Sequence, residues 1–200
     1  MIPSSKWFLL ILLLLPSCKM IHTRLLLGIK NPKVESYASI NTFLDEQQLD
    51  SLNSFVFNDS MYIDLVTKHQ KYFSTYEVYN SSFKKLILID SLKNDCYGSI
   101  TRELMLLEKG SWSEDSNAIF DYKSLIKELR PTSNKSIDEI QEKSYYIVFY
   151  WAKFMGTYTK SLLQIANELE RNPRYKVILI NMDINDQMKK ELQQIEMKIN

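Results

Sequence analysis

Residues 145–181, YYIVFYWAKFMGTYTKSLLQIANELERNPRYKVILIN, contain the clearest indication of the fold class. This stretch begins and ends with apolar runs, at 145–151 and 175–181, that have the length and composition of buried strands. The apolar residues between the runs recur at the spacing of one helix face: Leu162, Leu163, Ala166 and Leu169. This order of strand, helix and strand predicts a parallel βαβ unit with a right-handed crossover, and therefore a small sheet flanked by helices in an α/β domain.

A second sheet-forming stretch lies upstream, at about residues 76–90. Residues 76–79 alternate between apolar and polar faces as a strand does, residues 80–82 have the composition of a turn, and residues 85–89 contain a continuous apolar run. Together they predict a β-hairpin.

The remaining segments are predicted mainly from helical periodicity. Helices are expected from about Ser36, from near Ser60, over 100–107 with a stop at Gly110, and over 119–129. Residues 111–117 are expected to form a loop, and residues 131–135 the best internal boundary. Two further helices are expected at 136–143, opened by a capping box, and at 188–199.

Composition excludes several classes of function. The chain has 25 basic and 24 acidic side chains, so no net field draws it to nucleic acid. Its four glycines cannot build a phosphate-binding loop, and two histidines with two cysteines are too few for a zinc or iron–sulfur site. No metal and no cofactor is therefore expected.

The first eighteen residues carry a targeting signal. Lys6 precedes an apolar run over 7–15, which is too short to span a bilayer and has the size of a signal-peptide core. The sequence LPSC at 15–18 resembles the lipobox of bacterial lipoproteins. That resemblance implies cleavage before Cys18, lipid on its sulfur and attachment to a membrane of the bacterial cell envelope. The alternative is an ordinary cleaved signal peptide, in which Cys18 has no special role.

These features divide the chain into three parts. Residues 1–17 are the predicted signal peptide, 18–35 a lipidated tether, and 36–200 a single α/β domain. Within that domain, residues 36–130 hold helices and the hairpin, and residues 136–200 form the βαβα half.

The segment FYWAKFMGTY at 149–158 resembles the thioredoxin family, in which an apolar strand runs into Trp-Ala and then into a Cys-x-x-Cys motif at the start of a helix. Residues 177–183, VILINMD, resemble the second strand of that family. The resemblance implies a thioredoxin-like sheet. In this sequence the two motif cysteines fall on Met155 and Tyr158, which cannot perform thiol–disulfide exchange. The resemblance therefore implies a thioredoxin-like domain that is redox-inactive.

A thioredoxin needs a further hairpin, and none follows residue 183. We therefore expect a permuted arrangement in which the hairpin at about 76–90 completes the sheet. The family's cis-proline has no counterpart before the hairpin, where Ser74 and Thr75 stand.

Three candidate sites follow. Trp151, Phe154, Met155 and Tyr158 are candidates for a surface that holds a peptide or a partner protein, since aromatic residues are favoured in interfaces; the alternative is that they fill the core. Cys96 is a candidate reactive thiol before a predicted helix, although Asp95 disfavours its thiolate. Asp183 with Asp186 suggests a cation site, for which a turn and a helix cap are the plainer interpretation.

The sequence thus predicts a membrane-anchored lipoprotein with a redox-inactive thioredoxin-like domain that acts as a binding or scaffolding module. The alternative is a single-cysteine thiol enzyme or redox sensor that uses Cys96.

Overall fold

In the computed structural model, the described residues are 28–49, 54–58, 60–62, 65, 75–89, 100–132 and 143–185. The predictions on the signal peptide, Cys18, Cys96, Asp186 and the helix at 188–199 lie outside these residues, as do residues 136–142 of the other predicted helix. No helix within the described ranges is long and apolar enough to cross a membrane.

The described residues form both strands and helices. The strands are β1 (Ser54–Phe57), β2 (Tyr76–Asn80), β3 (Lys85–Leu88), β4 (Trp112–Glu114), β5 (Leu129–Pro131), β6 (Tyr145–Trp151) and β7 (Tyr175–Asn181). The helices are α1 (Tyr37–Glu46), α2 (Ile100–Met105), α3 (Tyr122–Lys127) and α4 (Thr157–Glu170), with 3-10 turns at Leu107–Lys109 and Lys153–Met155.

These strands form one mixed sheet in the order β4-β3-β2-β6-β7-β1-β5. Strands β6 and β7 are parallel, from Tyr145 opposite Tyr175 to Trp151 opposite Asn181, with α4 as their crossover. On its other side β6 pairs antiparallel with β2, the first strand of the hairpin. The α/β class is thus confirmed, and so is the prediction that the upstream hairpin completes the sheet. The order β3-β2-β6-β7 is compatible with a thioredoxin-like fold.

Three short strands were not predicted. Strand β1 lies parallel to β7 and antiparallel to β5, so Leu129–Pro131 belongs to the sheet. Of the boundary expected at 131–135, residues 133–135 lie outside the described residues. Strand β4 replaces part of the loop expected at 111–117 and pairs with β3. Each has three or four residues, which is too short for an apolar pattern to reveal it.

The helix expected over 119–129 is also shorter than predicted. Asp121 caps α3 by accepting a hydrogen bond of 2.8 Å from the Ser124 N–H, so the helix begins at Tyr122. Ile119 precedes the cap and is 41% exposed, while Leu129 belongs to β5. The cap overrides the apolar spacing because it satisfies the first main-chain donors of the helix.

The core has two layers, one on each face of the sheet. On one face, α1, α2 and α4 pack on apolar residues of β6 and β7, with Ile40, Leu163, Ile147 and Leu179 among the buried side chains. On the other face, α3 and the helical residues 60–62 and 65 pack on an aromatic layer that includes Phe57, Tyr79, Tyr122 and Tyr146. Tyr146 and Phe149 are core residues, in agreement with the interpretation of the sequence.

Candidate functional site

The candidate site is built on the turn between β6 and α4. After Trp151 the chain makes the 3-10 turn Lys153–Met155 and reaches Gly156, which has φ 62° and ψ −128°. This region of backbone conformation is essentially restricted to glycine. Gly156 therefore allows the 3-10 turn to lead into α4 without an intervening loop. Met155 lies in the turn just before the helix, and Tyr158 lies in the first turn of the helix.

The buried carboxylate of Asp183 binds the main chain of this turn. The Oδ2 atom of Asp183 accepts hydrogen bonds of 2.8 Å from the Lys153 N–H and from Nδ2 of Asn181, and the Phe154 N–H also donates to the carboxylate. Asp183 is only 1% exposed. Burial raises the pKa of Asp183 above its usual value, and the nearby charge of Glu35 adds to the rise, while these hydrogen bonds oppose it.

These contacts agree with the plainer interpretation of Asp183 as a residue that organises a turn. Its Oδ2 atom accepts from the Lys153 N–H and from the Asn181 amide, and these hydrogen bonds account for the buried carboxylate without a cation. Asp186 lies outside the described residues, and among those that are described no group of three or more acidic, histidine or cysteine side chains is arranged to hold a metal ion.

The four candidate binding residues do not share one environment. Trp151 is 2% exposed and stacks on Phe43 of α1, with ring centroids 5.6 Å apart, so it belongs to the core and not to the surface. Phe154, Met155 and Tyr158 are half-buried at the turn and in the first turn of α4. The structure thus reduces the candidate surface to these three side chains, with Trp151 as their support.

A segment that we assigned to the tether lies against this turn. We call residues 28–35 the strap. The Lys30 N–H donates to the carbonyl oxygen of Phe154 over 2.8 Å, and the Glu35 N–H donates to that of Ile184 over 2.8 Å. Ser36 caps α1 as expected, but the contacts of the domain extend upstream of this helix to at least Lys30.

An ion pair joins the strap to the turn. The Nζ atom of Lys153 lies 2.7 Å from Oε2 of Glu35 and 2.5 Å from Oγ of Ser39, and Ser39 donates to the same Glu35 oxygen over 2.6 Å. Burial alone raises the pKa of Glu35, but the hydrogen bonds from Lys153 and Ser39, with the charges of Lys153 and Lys33, lower it below its usual value. The Glu35 carboxyl group is therefore held in its ionised form at the rim of the site.

The sequence did not single out Glu35, Ser39 or Lys153. The only local signal is Lys153 itself, a charge in the otherwise apolar and aromatic stretch 149–158. Its partners lie more than a hundred residues upstream, so no spacing pattern could identify them.

A second polar cluster lies in the aromatic layer. The Oε2 atom of Glu77 accepts hydrogen bonds of 2.7 Å from the hydroxyl groups of both Tyr79 and Tyr150, and Oε1 lies 2.5 Å from Nζ of Lys85. Burial and the charge of Glu77 raise the pKa of each tyrosine well above its usual value. The cluster is a satisfied polar network within the packing of β2, β3 and β6, and its groups stabilise the sheet.

Comparison of the chain with protein-family models, with curated proteins and with solved structures gave no match.

Proposed function

We propose that this protein is a membrane-anchored lipoprotein of the bacterial cell envelope whose α/β domain is a redox-inactive, thioredoxin-like binding or scaffolding module. The observation that supports the domain assignment best is the pairing of β6 with β7 on one side and with the hairpin strand β2 on the other. Under this assignment, the resemblance of the segment at 149–158 makes Met155 and Tyr158 the counterparts of the two cysteines of a thioredoxin.

The proposed activity is binding, because the turn offers half-buried aromatic and thioether side chains and no thiol. Phe154, Met155 and Tyr158 provide aromatic and thioether contact area, and aromatic residues and methionine are enriched in protein interfaces. The attachment to the membrane rests on the sequence LPSC at 15–18, with the lipid on Cys18.

The redox part of the proposal is tested by measuring the reduction of insulin disulfides. All variants carry Cys96→Ser, so that Cys18 is the only native cysteine left in the chain. The unchanged turn should be inactive, and the double substitution Met155→Cys/Tyr158→Cys should gain activity, because a helix N-terminus lowers the pKa of a thiol there. Each single substitution is the matched control and should remain inactive. A double variant that forms a folded domain without activity would reject the thioredoxin-like geometry of the turn.

The anchor is tested separately, in bacteria that express the full chain. Labelling with an alkyne analogue of palmitate should mark the wild-type protein and not the Cys18→Ser variant, and mass spectrometry should find the chain beginning at residue 18. Cys96→Ser is the matched control and should be labelled like the wild type. An unlabelled wild-type chain, or an intact leader, would contradict the lipoprotein assignment.

A further inference from the structure

The strap lies on the turn in the manner of a bound peptide. It makes two main-chain hydrogen bonds, each of 2.8 Å. The Lys30 N–H donates to the Phe154 carbonyl, and the Glu35 N–H donates to the Ile184 carbonyl. Glu35 also forms a parallel bridge with Asn185, just beyond the end of β7. Recognition of an extended segment through main-chain groups is a recurring mode of peptide binding.

The strap buries little of its surface against the domain. Residues 30–34 are all exposed, Val34 is 40% exposed, and no residue from 28 to 35 is fully buried. Apolar burial therefore contributes little to its attachment, since the hydrophobic contribution is proportional to the area removed from water. The attachment depends on the two main-chain hydrogen bonds and on the ion pair with Lys153.

The ion pair gives the contact its chemical preference. Glu35 faces Lys153 and Ser39, both of which donate to its Oε2 atom. The other charged groups that act on Glu35 are Lys33 of the strap and Asp183 beneath the turn. A carboxylate satisfies the Lys153 ammonium at this position, whereas an apolar side chain would leave that charge half-buried and unpaired.

We propose that the strap is a displaceable, built-in occupant of the binding surface, and that the partner which replaces it is an extended polypeptide segment carrying a carboxylate that pairs with Lys153. This inference rests on the proposed function, since it assumes that the turn binds a partner. When the strap is displaced, the Phe154 carbonyl and the Lys153 ammonium lose their strap partners and bind the incoming segment instead.

Attachment of the strap is tested by hydrogen exchange on the full chain. Lys30→Pro removes the N–H that donates to Phe154, and Lys30→Ala, which keeps it, is the matched control. Glu35→Gln removes the charge facing Lys153, and Glu46→Gln makes the same change at an exposed position in the last turn of α1. The Pro and Glu35→Gln variants should exchange strap amides about tenfold faster than the wild type, with no change in β6 amides, while both controls should match the wild type. Unchanged exchange in the strap would overturn the inference.

Occupancy of a binding surface is tested with a labelled synthetic peptide that copies residues 28–36, GIKNPKVES. The Lys30→Pro and Glu35→Gln proteins should bind it about tenfold more tightly than the wild-type chain, because an attached segment competes at high effective concentration. A peptide with glutamine in place of its glutamate should lose this binding. Faster exchange in the strap without any peptide binding would also overturn the inference, since the strap would then be a structural element only. Neither measurement involves lipid or thiols, so failure here is distinguishable from failure of the proposed function.

Discussion

The ammonium group of Lys153, in the turn after β6, lies 2.7 Å from the carboxylate of Glu35, a residue 118 positions earlier in the chain. The pair closes the strap over the turn, and Ser39 of α1 hydrogen-bonds to both members. Two segments that are remote in sequence, residues 35–39 and the turn at 153–155, therefore meet at one point, where the candidate surface begins.

The first prediction concerns the stability supplied by this pair. Because folding lowers the pKa of Glu35 below its usual value of 4.5, the pair stabilises the folded state above pH 4.5 and loses that effect as the pH falls through the lower, folded-state pKa. Glu35→Gln should lower the free energy of unfolding at pH 7 by about 1 kcal/mol.

Urea unfolding measured from pH 7 down to pH 3 checks this prediction. The difference between the wild type and Glu35→Gln should shrink below pH 4.5. Glu46→Gln, the same change at an exposed position, is the matched control and should not lower the free energy of unfolding at pH 7 by a comparable amount. A constant difference between the wild type and Glu35→Gln across the whole range would contradict the role of the charge.

The second prediction concerns Asp183, whose effect on stability changes with pH in the opposite direction to that of Glu35. Folding raises the pKa of Asp183, so its ionised form costs stability at neutral pH, and this cost is relieved as the pH falls through the raised, folded-state pKa. Relative to Asp183→Asn, which is neutral and keeps an oxygen acceptor, the wild type should therefore become more stable as the pH falls from 7 towards 4.

The Asp183→Ala variant separates the hydrogen bonds from the charge. It leaves the Lys153 N–H and the Asn181 amide without their acceptor, and it should lose about 2 kcal/mol or more at every pH. Thermal unfolding of the three proteins over the same pH series gives both effects. An alanine variant as stable as the asparagine variant would show that the acceptor is unimportant.

The third prediction concerns the backbone at Gly156. Its ψ of −128° lies outside the left-handed helical region that asparagine tolerates, whereas Gly110, with φ 67° and ψ 20°, lies within it. Gly156→Asn should cost about 1–3 kcal/mol, and the matched substitution Gly110→Asn should cost less than about 1 kcal/mol. Chemical denaturation of both variants gives the comparison, and equal losses would contradict the special geometry at Gly156.

The fourth prediction concerns the tyrosines at high pH. Burial, with carboxylates or other phenols nearby, raises the pKa of Tyr76, Tyr79, Tyr122 and Tyr150 well above 10. Folding therefore favours their neutral forms, and the folded state loses stability as the pH rises above 10, where the unfolded chain ionises. Ultraviolet titration should find fewer than the twelve tyrosines of the chain ionising reversibly, followed by a cooperative step as the protein unfolds.

Removal of the Glu77 carboxylate provides the control for that titration. Glu77→Gln keeps an acceptor for the hydroxyl groups of Tyr79 and Tyr150 but removes the charge that raises their pKa values. The cooperative step should then move to higher pH when corrected for any loss of stability at pH 7. A full set of freely titrating tyrosines in the wild type would contradict the buried cluster.

Several elements were predictable because their signals are local. Ser36 caps α1 with its own hydroxyl group, which accepts from the Ser39 N–H, and Ile40 and Leu44 lie on the buried face as their spacing indicates. Strands β6 and β7 are long apolar runs. By contrast, β1 and β4 are short strands whose pairing is made by main-chain groups, which a sequence pattern does not reveal.

The positions of the central strands, the crossover helix and the hairpin follow from local sequence, because residue spacing encodes period and turns on a scale of a few residues. The lipid anchor was also predicted from local sequence, and it stays a prediction. The tertiary structure was needed to show that β1 pairs with β7 and β5, that Trp151 is a core residue, and that Glu35 contacts Lys153. These contacts form when the sheet assembles and brings distant segments to one edge, so their partners are selected by the whole fold and are not encoded in any local pattern.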